Sequence, residues 1–143
     1  VVADVFSFLT KKVVLALERG VERQQRMLDP GPDFAKTPAQ TIDVLGSLDA
    51  LAEFGRPVLL AVSRKDFIGA LTGREPRERL AGTLAAIGHC VDAGAHVLRV
   101  HDVAAVRDFL TVRGALRGDT EVDPALALSD AVRWQQGDKC GAI

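Results

Sequence analysis

Three short stretches of the chain concentrate side chains that bind anions and polar rings: Asp29-Pro30-Gly31-Pro32-Asp33-Phe34-Ala35-Lys36, Ser63-Arg64-Lys65 and Arg99-Val100-His101-Asp102. An arginine offers a planar fork to a phosphate or carboxylate, a lysine a compact point charge, and a histidine a hydrogen-bond donor in either protonation state. A carboxylate such as Asp29 accepts two hydrogen bonds from an amino-substituted heterocycle. Brought together, Arg64, Lys65, Arg99, His101 and Asp29 would make an anion site with an acceptor beside it. Taken singly, each has a plainer reading as a solvated surface group, so the argument depends on whether the fold converges them.

The elements that must do this follow from periodicity. Val2, Phe6, Leu9, Val13 and Ala16 step by four and three along one helix face, which Gly20 ends. Met27-Leu28-Asp29 is a strand candidate stopped by Pro30-Gly31. Thr37-Pro38-Ala39-Gln40 supplies an N-cap, a first-turn proline and a capping-box glutamine, predicting a helix with the stripe Ile42, Leu45, Leu48 and Leu51 as far as Gly55. Val58 to Val62 is an unbroken apolar run, the pattern of a parallel strand covered on both faces. A loop through Gly69 and Gly73 should follow, then a helix opened by Pro76 and carrying Leu80, Leu84, Ile87 and Val91 as far as Gly94. His96 to Val100 reads as a further strand, and Val103, Val106 and Leu110 as the stripe of a fourth helix.

The order α-β-α-β-α-β-α predicts an α/β fold with parallel strands and right-handed crossovers, either a doubly wound open sheet or part of a (β/α)8 barrel. In both, functional groups collect beyond the carboxyl ends of the strands. Strand alternation puts Met27 with Asp29, Leu59 and Ala61 with Ser63 and Lys65, and Val97 with Arg99 and His101, so that polar groups at each strand end share a face with apolar ones below. That is the pattern of a barrel interior with a polar mouth. Three strands cannot close a barrel, so the expectation is an excerpt of a longer chain, with a small flavodoxin-like open sheet as the alternative. No glycine-rich phosphate loop follows a strand to support that alternative. Past Gly118 the pattern weakens: residues 1–117 form the expected α/β body and 118–143 an extension, with a short helix over Ala125 to Trp134 and the tryptophan as a packing anchor.

Composition narrows the function classes. The 143 residues carry a net charge of −1 with mixed signs throughout, so there is no electrostatic footprint for nucleic acid or an anionic membrane. There is no apolar run long enough to span a bilayer, and the first residues lack the pattern of a secretion signal, which makes a cytoplasmic setting the expectation. Cys90 and Cys140 have no metal or disulfide spacing and read as reduced thiols. Small-molecule chemistry is what remains.

In order and spacing, Asp29-Pro30-Gly31 with Phe34 and Lys36, Ser63-Arg64-Lys65 with Phe67-Ile68-Gly69, Arg79-Leu80-Ala81-Gly82-Thr83, and Arg99-Val100-His101-Asp102-Val103 resemble the later motifs of dihydropteroate synthases. The resemblance covers residues 1 to about 117 and implies strands six to eight of a TIM barrel. It also implies a transferase of folate biosynthesis that joins p-aminobenzoate to a dihydropterin methyl diphosphate and releases pyrophosphate. On that basis Asp29 and Lys65 would hold the pterin, Arg99 would stack on it and meet the phosphates, and His101 would contact phosphate. Lys65, Arg99 and Asp29 would be the catalytic residues. Phe34 and Ser63 would flank p-aminobenzoate, with Arg64 as its neighbour. No metal ligand is expected among these residues: the family's magnesium-linked asparagine would come from a segment preceding Val1. The resemblance further implies a homodimer whose partners are small-molecule substrates.

Four positions depart from the family pattern. Asp33 and Ala35 stand where glycines are usual, and Asp66 follows Ser63-Arg64-Lys65 where a non-acidic residue is common. An alanine at position 61, where glycine is usual, could narrow the floor. A carboxylate about 5 Å from that of p-aminobenzoate would repel it by about 3 kcal/mol at an effective dielectric of about 20. Such a chain could instead be a catalytically silent or repurposed paralogue acting as a binding protein. The alternative for Asp33 and Asp66 is that they face solvent or pair with Arg64 or Lys36.

Overall fold

The structure, a computed structural model, describes residues 1–133. The chain divides into a unit of Val1–Leu110 and a second unit from Thr111 onward. The first helix, α1, runs Val2–Glu18, with Leu9 buried and Val5, Phe6 and Val13 packed on the core. It stops as expected before Gly20, at a left-handed φ of 79°. The capping box opens α2, Pro38–Leu45: Gln40 N donates to Thr37 Oγ1 at 3.2 Å, and Thr37 N donates to Gln40 Oε1 at 2.9 Å.

The single helix expected as far as Gly55 is two elements. α2 ends at Gly46, where the Ser47 hydroxyl donates back to Asp43 O at 3.0 Å, and a 3-10 segment spans Leu48–Phe54. A serine competing for backbone acceptors next to a glycine weakens the helical ladder at that step. The buried face also differs from the expected stripe. Thr41, Val44, Leu45, Leu48 and Leu51 face the core, whereas Ile42 is 43% exposed, because a polar Thr41 occupies the position that a purely apolar pattern assigns to its neighbour.

Three segments lie parallel at the centre of the unit. β1 (Leu59–Leu60) pairs with β2 (Val97–Leu98) in the register Leu59↔Val97 and Leu60↔Leu98, and Leu28 bridges Val58 on the other side. Leu59 N donates to Leu28 O at 2.7 Å and Arg99 N donates to Leu60 O at 3.0 Å, so the central segment is bonded on both edges. The order and direction match the sequence pattern, with regular pairing confined to two residues per strand. The faces are unequal. Leu28, Leu60 and Val62 are buried with Phe67, Ile68, Ile87, Cys90 and Val106 under the helices. On the other face Leu59 is half-buried while Met27 and Val97 are exposed, so coverage of both faces does not hold.

The stretch expected to be a loop after Lys65 contains a helix, α3 (Asp66–Thr72), which buries Phe67 and Ile68. Pro76 opens only a 3-10 turn, Pro76–Glu78, and α4 spans Leu80–Asp92 with Thr83, Ile87 and Cys90 buried. Leu84 and Val91 are half-buried and Leu80 is exposed, again because a threonine holds a core position. Burial raises the Cys90 thiol to about 11, so it stays protonated at neutral pH. α5 spans Val103–Arg117; Val106 is buried and Val103 is 66% exposed.

In the second unit the described residues after α5 hold only a 3-10 turn, Asp130–Val132, in place of the expected helix; Trp134 and Cys140 lie outside the described residues. No helix among the described residues is long and apolar enough to cross a membrane. α3 and α4 meet at Gly82, where an added Cβ would overlap the Ile68 side chain. Gly82→Ala is therefore expected to destabilise by about 1–3 kcal/mol in denaturant melts, through forced movement of Ile68.

Candidate active site at the strand ends

Beyond Val62 the chain must leave the sheet and enter α3 within three residues. It does so with Arg64 in the left-handed region at φ 58°, a conformation that costs a non-glycine residue about 1–2 kcal/mol. Contacts from several elements hold it there. Arg64 N donates to the buried Thr83 Oγ1 at 3.0 Å. The Arg79 guanidinium donates to Arg64 O at 2.9 Å, Lys65 O at 3.2 Å and Asp66 Oδ1 at 2.9 Å, while its Nε donates to Arg74 O at 2.9 Å. Gly69 leaves room for that guanidinium, which a Cβ would overlap. Arg64 itself forks onto Asp102, with Nε to Oδ2 at 3.0 Å and Nη2 to Oδ1 at 2.6 Å. This hydrogen bond, aided by the charges of Arg64 and His101 and opposed by partial burial, holds the Asp102 carboxyl below the ordinary range. The Asp102 bond likewise raises Arg64 above its usual value.

The neighbouring strand end is tied to the same turn. His101 N donates to Ser63 Oγ at 3.2 Å, and its Nδ1 lies 3.0 Å from the same hydroxyl. Ser63 is buried and His101 exposed, so the serine orients an imidazole that remains accessible.

These residues surround a cavity of about 510 Å³. Of the seven expected site residues, Phe34, Ser63, Arg64, Lys65, Arg99 and His101 line it, over a floor that includes Ala61. Asp29 does not join them. Its Oδ1 accepts from Gly31 N at 2.8 Å, and it lines a second cavity of about 790 Å³ that shares only Phe34 with the first. The bond to Gly31 N is local to the turn, and strand alternation does not register it. Lys65 reaches the cavity by a different route from the one alternation suggests: it is the N-cap of α3, beyond the strand. Its Nζ stands 4.4 Å from the centroid of the Phe34 ring, a cation–π contact. Among the described residues neither Lys65 nor Arg99 has a carboxylate partner, whereas Arg64 is committed to Asp102.

Asp33 and Asp66 also line the cavity, but neither pairs with Arg64 or Lys36. Asp33 Oδ2 accepts from Asp66 N at 2.6 Å and Phe67 N at 3.3 Å, and Oδ1 accepts from Thr41 Oγ1 at 3.0 Å. Asp66 is 91% exposed in its side chain and bound to Arg79. Asp33 and Ala35 both have left-handed backbone, at φ 65° and 49°. Sequence reasoning missed the supporting roles of Arg79, Thr83 and Asp102. The available signal was the spacing of Arg79 and Thr83, four residues apart and hence on one helix face.

The pterin binding enzyme model matches residues 1–101, more than half of the chain. The chain belongs to the pterin binding enzyme family. Its relatives include proteins named dihydropteroate synthase. The Bacillus subtilis dihydropteroate synthase is 42% identical over 100 residues, covering 70% of this chain and 35% of its own length. A Mycobacterium leprae protein named inactive dihydropteroate synthase 2 is 38% identical over 118 residues, 82% of this chain and 40% of its own. The Xanthomonas albilineans dihydropteroate synthase, solved with 7,8-dihydropteroate, superimposes with a TM-score of 0.79 at 44% identity over 81% of this chain and 45% of that one. The chain thus spans less than half the length of each of these relatives.

In this pterin binding family member the Arg64–Asp102 pair makes stability depend on pH in a defined sense. Asp102 has a folded pKa below its unfolded value of about 3.9, so its contribution is fully present above that value and disappears as pH falls through the lower folded one. Stability curves of the native protein and Asp102→Asn should lie apart above about pH 4 and draw together below it. Arg79→Lys keeps the charge but not the fork, and is expected to lose about 2 kcal/mol in denaturant unfolding.

Proposed function

We propose that this chain supplies the later strands, the sixth to eighth, of a (β/α)8 dihydropteroate synthase, and that the full protein condenses p-aminobenzoate with dihydropterin methyl diphosphate in folate biosynthesis. One observation carries the reading: Lys65, Arg99 and His101 face one cavity, and the first two have no carboxylate partner among the described residues. The open sheet face bearing Met27, Leu59 and Val97 supports it, since in a barrel these side chains would turn to the interior.

In this mechanism the C–O bond to the diphosphate breaks, the leaving group takes the electron pair, and the amine nitrogen of p-aminobenzoate bonds to the methylene carbon and loses a proton. Lys65 and Arg99 stabilise negative charge that grows only as the bond breaks, which accelerates the step instead of merely tightening binding. His101, held by Ser63, adds a donor toward the same oxygens. Phe34 supports Lys65 from below and offers a ring face to the aromatic substrate. Asp29 would hold the pterin from the adjoining cavity. Arg64 borders the cavity as a structural cation through Asp102.

Magnesium belongs to the same proposal, with its protein ligand expected from a part of the full protein beyond these residues. Among the described residues no group of three or more His, Cys, Asp or Glu side chains can hold a metal ion, so no step is routed through one. Homodimer formation and a cytoplasmic setting are likewise parts of the proposal.

A second reading, a silent or repurposed paralogue, is favoured by the inactive mycobacterial relative and by the departures at Asp33, Ala35 and Asp66. Turnover of the full-length protein decides between them: dihydropteroate formation supports the synthase, and its absence in folded protein supports the paralogue. In an active protein, Lys65→Ala and Arg99→Ala should each lower kcat/KM on the order of a hundredfold or more, with little change in melting temperature. Unaltered kinetics in both variants would remove the assigned roles.

A further inference from the structure

We infer that Asp33 is a positioning residue that bolts the Asp29–Lys36 loop to the start of α3 and so fixes Phe34 against Lys65 as one wall of the cavity. Asp33 immediately precedes Phe34, and the amides it binds belong to Asp66 and Phe67, immediately after Lys65. The bolt therefore joins the two chain segments at the residues next to the ones that touch. Its other oxygen takes the hydroxyl of Thr41, a fully buried residue of α2, and Asp33 N donates to that hydroxyl at 3.1 Å. Loop, α2 and α3 are thereby locked through one carboxylate.

Two features argue that this is more than a surface contact. Asp33 keeps a left-handed backbone that glycine would adopt without strain, so the side chain contributes something that glycine cannot. Its carboxylate also lies among the lining residues of the cavity yet is turned onto backbone amides and a hydroxyl, which spends its acceptor capacity on the protein and not on the cations beside it. Among the described residues Lys65 and Arg99 then have no carboxylate ion-pair partner, which leaves their donors open to an anionic ligand.

The consequence for ligands rests on the proposed synthase reading; the bolt itself does not. The test compares the full-length protein with Asp33→Gly and Asp33→Asn by amide hydrogen exchange and by calorimetry with inorganic pyrophosphate. In Asp33→Gly, the amides of residues 66 and 67 should exchange at least about tenfold faster while those in the middle of α4 stay unchanged. Asp33→Asn, which keeps one acceptor oxygen, should fall between. Pyrophosphate should bind about fivefold more weakly to Asp33→Gly even though a negative charge has been removed. Unchanged exchange at 66 and 67, or equal acceleration everywhere, would overturn the bolt. Local acceleration with equal or tighter pyrophosphate binding would overturn the positioning role and leave Asp33 as a mere neighbouring charge. A native protein that binds no pyrophosphate would count against the synthase reading alone, with the exchange data still judging the bolt.

Discussion

The Arg79 guanidinium carries the backbone of the turn on which the rest of the site depends. Between Val62 and Asp66 the chain passes from the buried central segment into a helix; Lys65 O accepts from Ile68 N and Gly69 N in the first turn of α3, whereas the carbonyl of Arg64 has no backbone donor among the described residues. A partly buried carbonyl without a donor would cost on the order of 1–3 kcal/mol, comparable to the left-handed strain at Arg64. Arg79 supplies donors to both carbonyls from one nearly buried, planar group, and Thr83 one turn further along α4 receives the Arg64 amide. Two chemical demands of the turn are thus met by two residues on one helix face. The same demand explains the small residues nearby: Gly69 makes room for the guanidinium, and Gly82 lets α4 approach α3 closely enough to deliver it.

The cations around the cavity divide by what they touch. Arg64 and Arg79 are each paired with a carboxylate and with backbone or neighbouring groups, so their charge is largely consumed in holding shape. Among the described residues Lys65 and Arg99 have no carboxylate partner, and Lys65 rests on an aromatic face that supports a cation without neutralising it. Charge so arranged is available to a ligand at little reorganisation, because the groups that would otherwise collapse onto an empty site are already engaged elsewhere. Asp66 fits this division. A carboxylate next to an anion site would be repulsive, but it leans on Arg79 and is almost wholly in solvent, where screening is strong.

The architecture was legible because alternation of strand and helix is written in the period of apolar residues, and the capping box at Thr37 and Gln40 was readable atom for atom. Ser63, Arg99 and His101 meet at one cavity, as the positions of the strand ends imply, whereas Lys65 joins them from the N-cap of α3. What escaped was set by bonds that have no periodicity. α3 is seven residues long with a glycine inside it, and its tolerance for that glycine comes from a side chain on another helix. Thr41 and Thr83 hold core positions as polar residues because each has a specific partner, Asp33 and Arg64 N respectively, which pushed the apparent stripes onto Ile42 and Leu80. Asp29 lies in the adjoining cavity, where its carboxylate accepts from the amide of Gly31 inside its own turn.

The departures from the family pattern are best understood as a coupled pair of conformational facts. Glycine at positions 33 and 35 would make the loop cheap to bend and free to move; aspartate and alanine make it costly to bend and hard to move. At Asp33 the cost is offset by hydrogen bonds to two amides and a buried hydroxyl, and aspartate tolerates the left-handed region better than most residues. At Ala35 the side chain has no polar atom with which to offset anything, and nothing in the structure explains the substitution. A loop held at one end and strained at the next residue but one is pre-organised, and pre-organisation favours a ligand that matches the held geometry as strongly as it penalises one that does not.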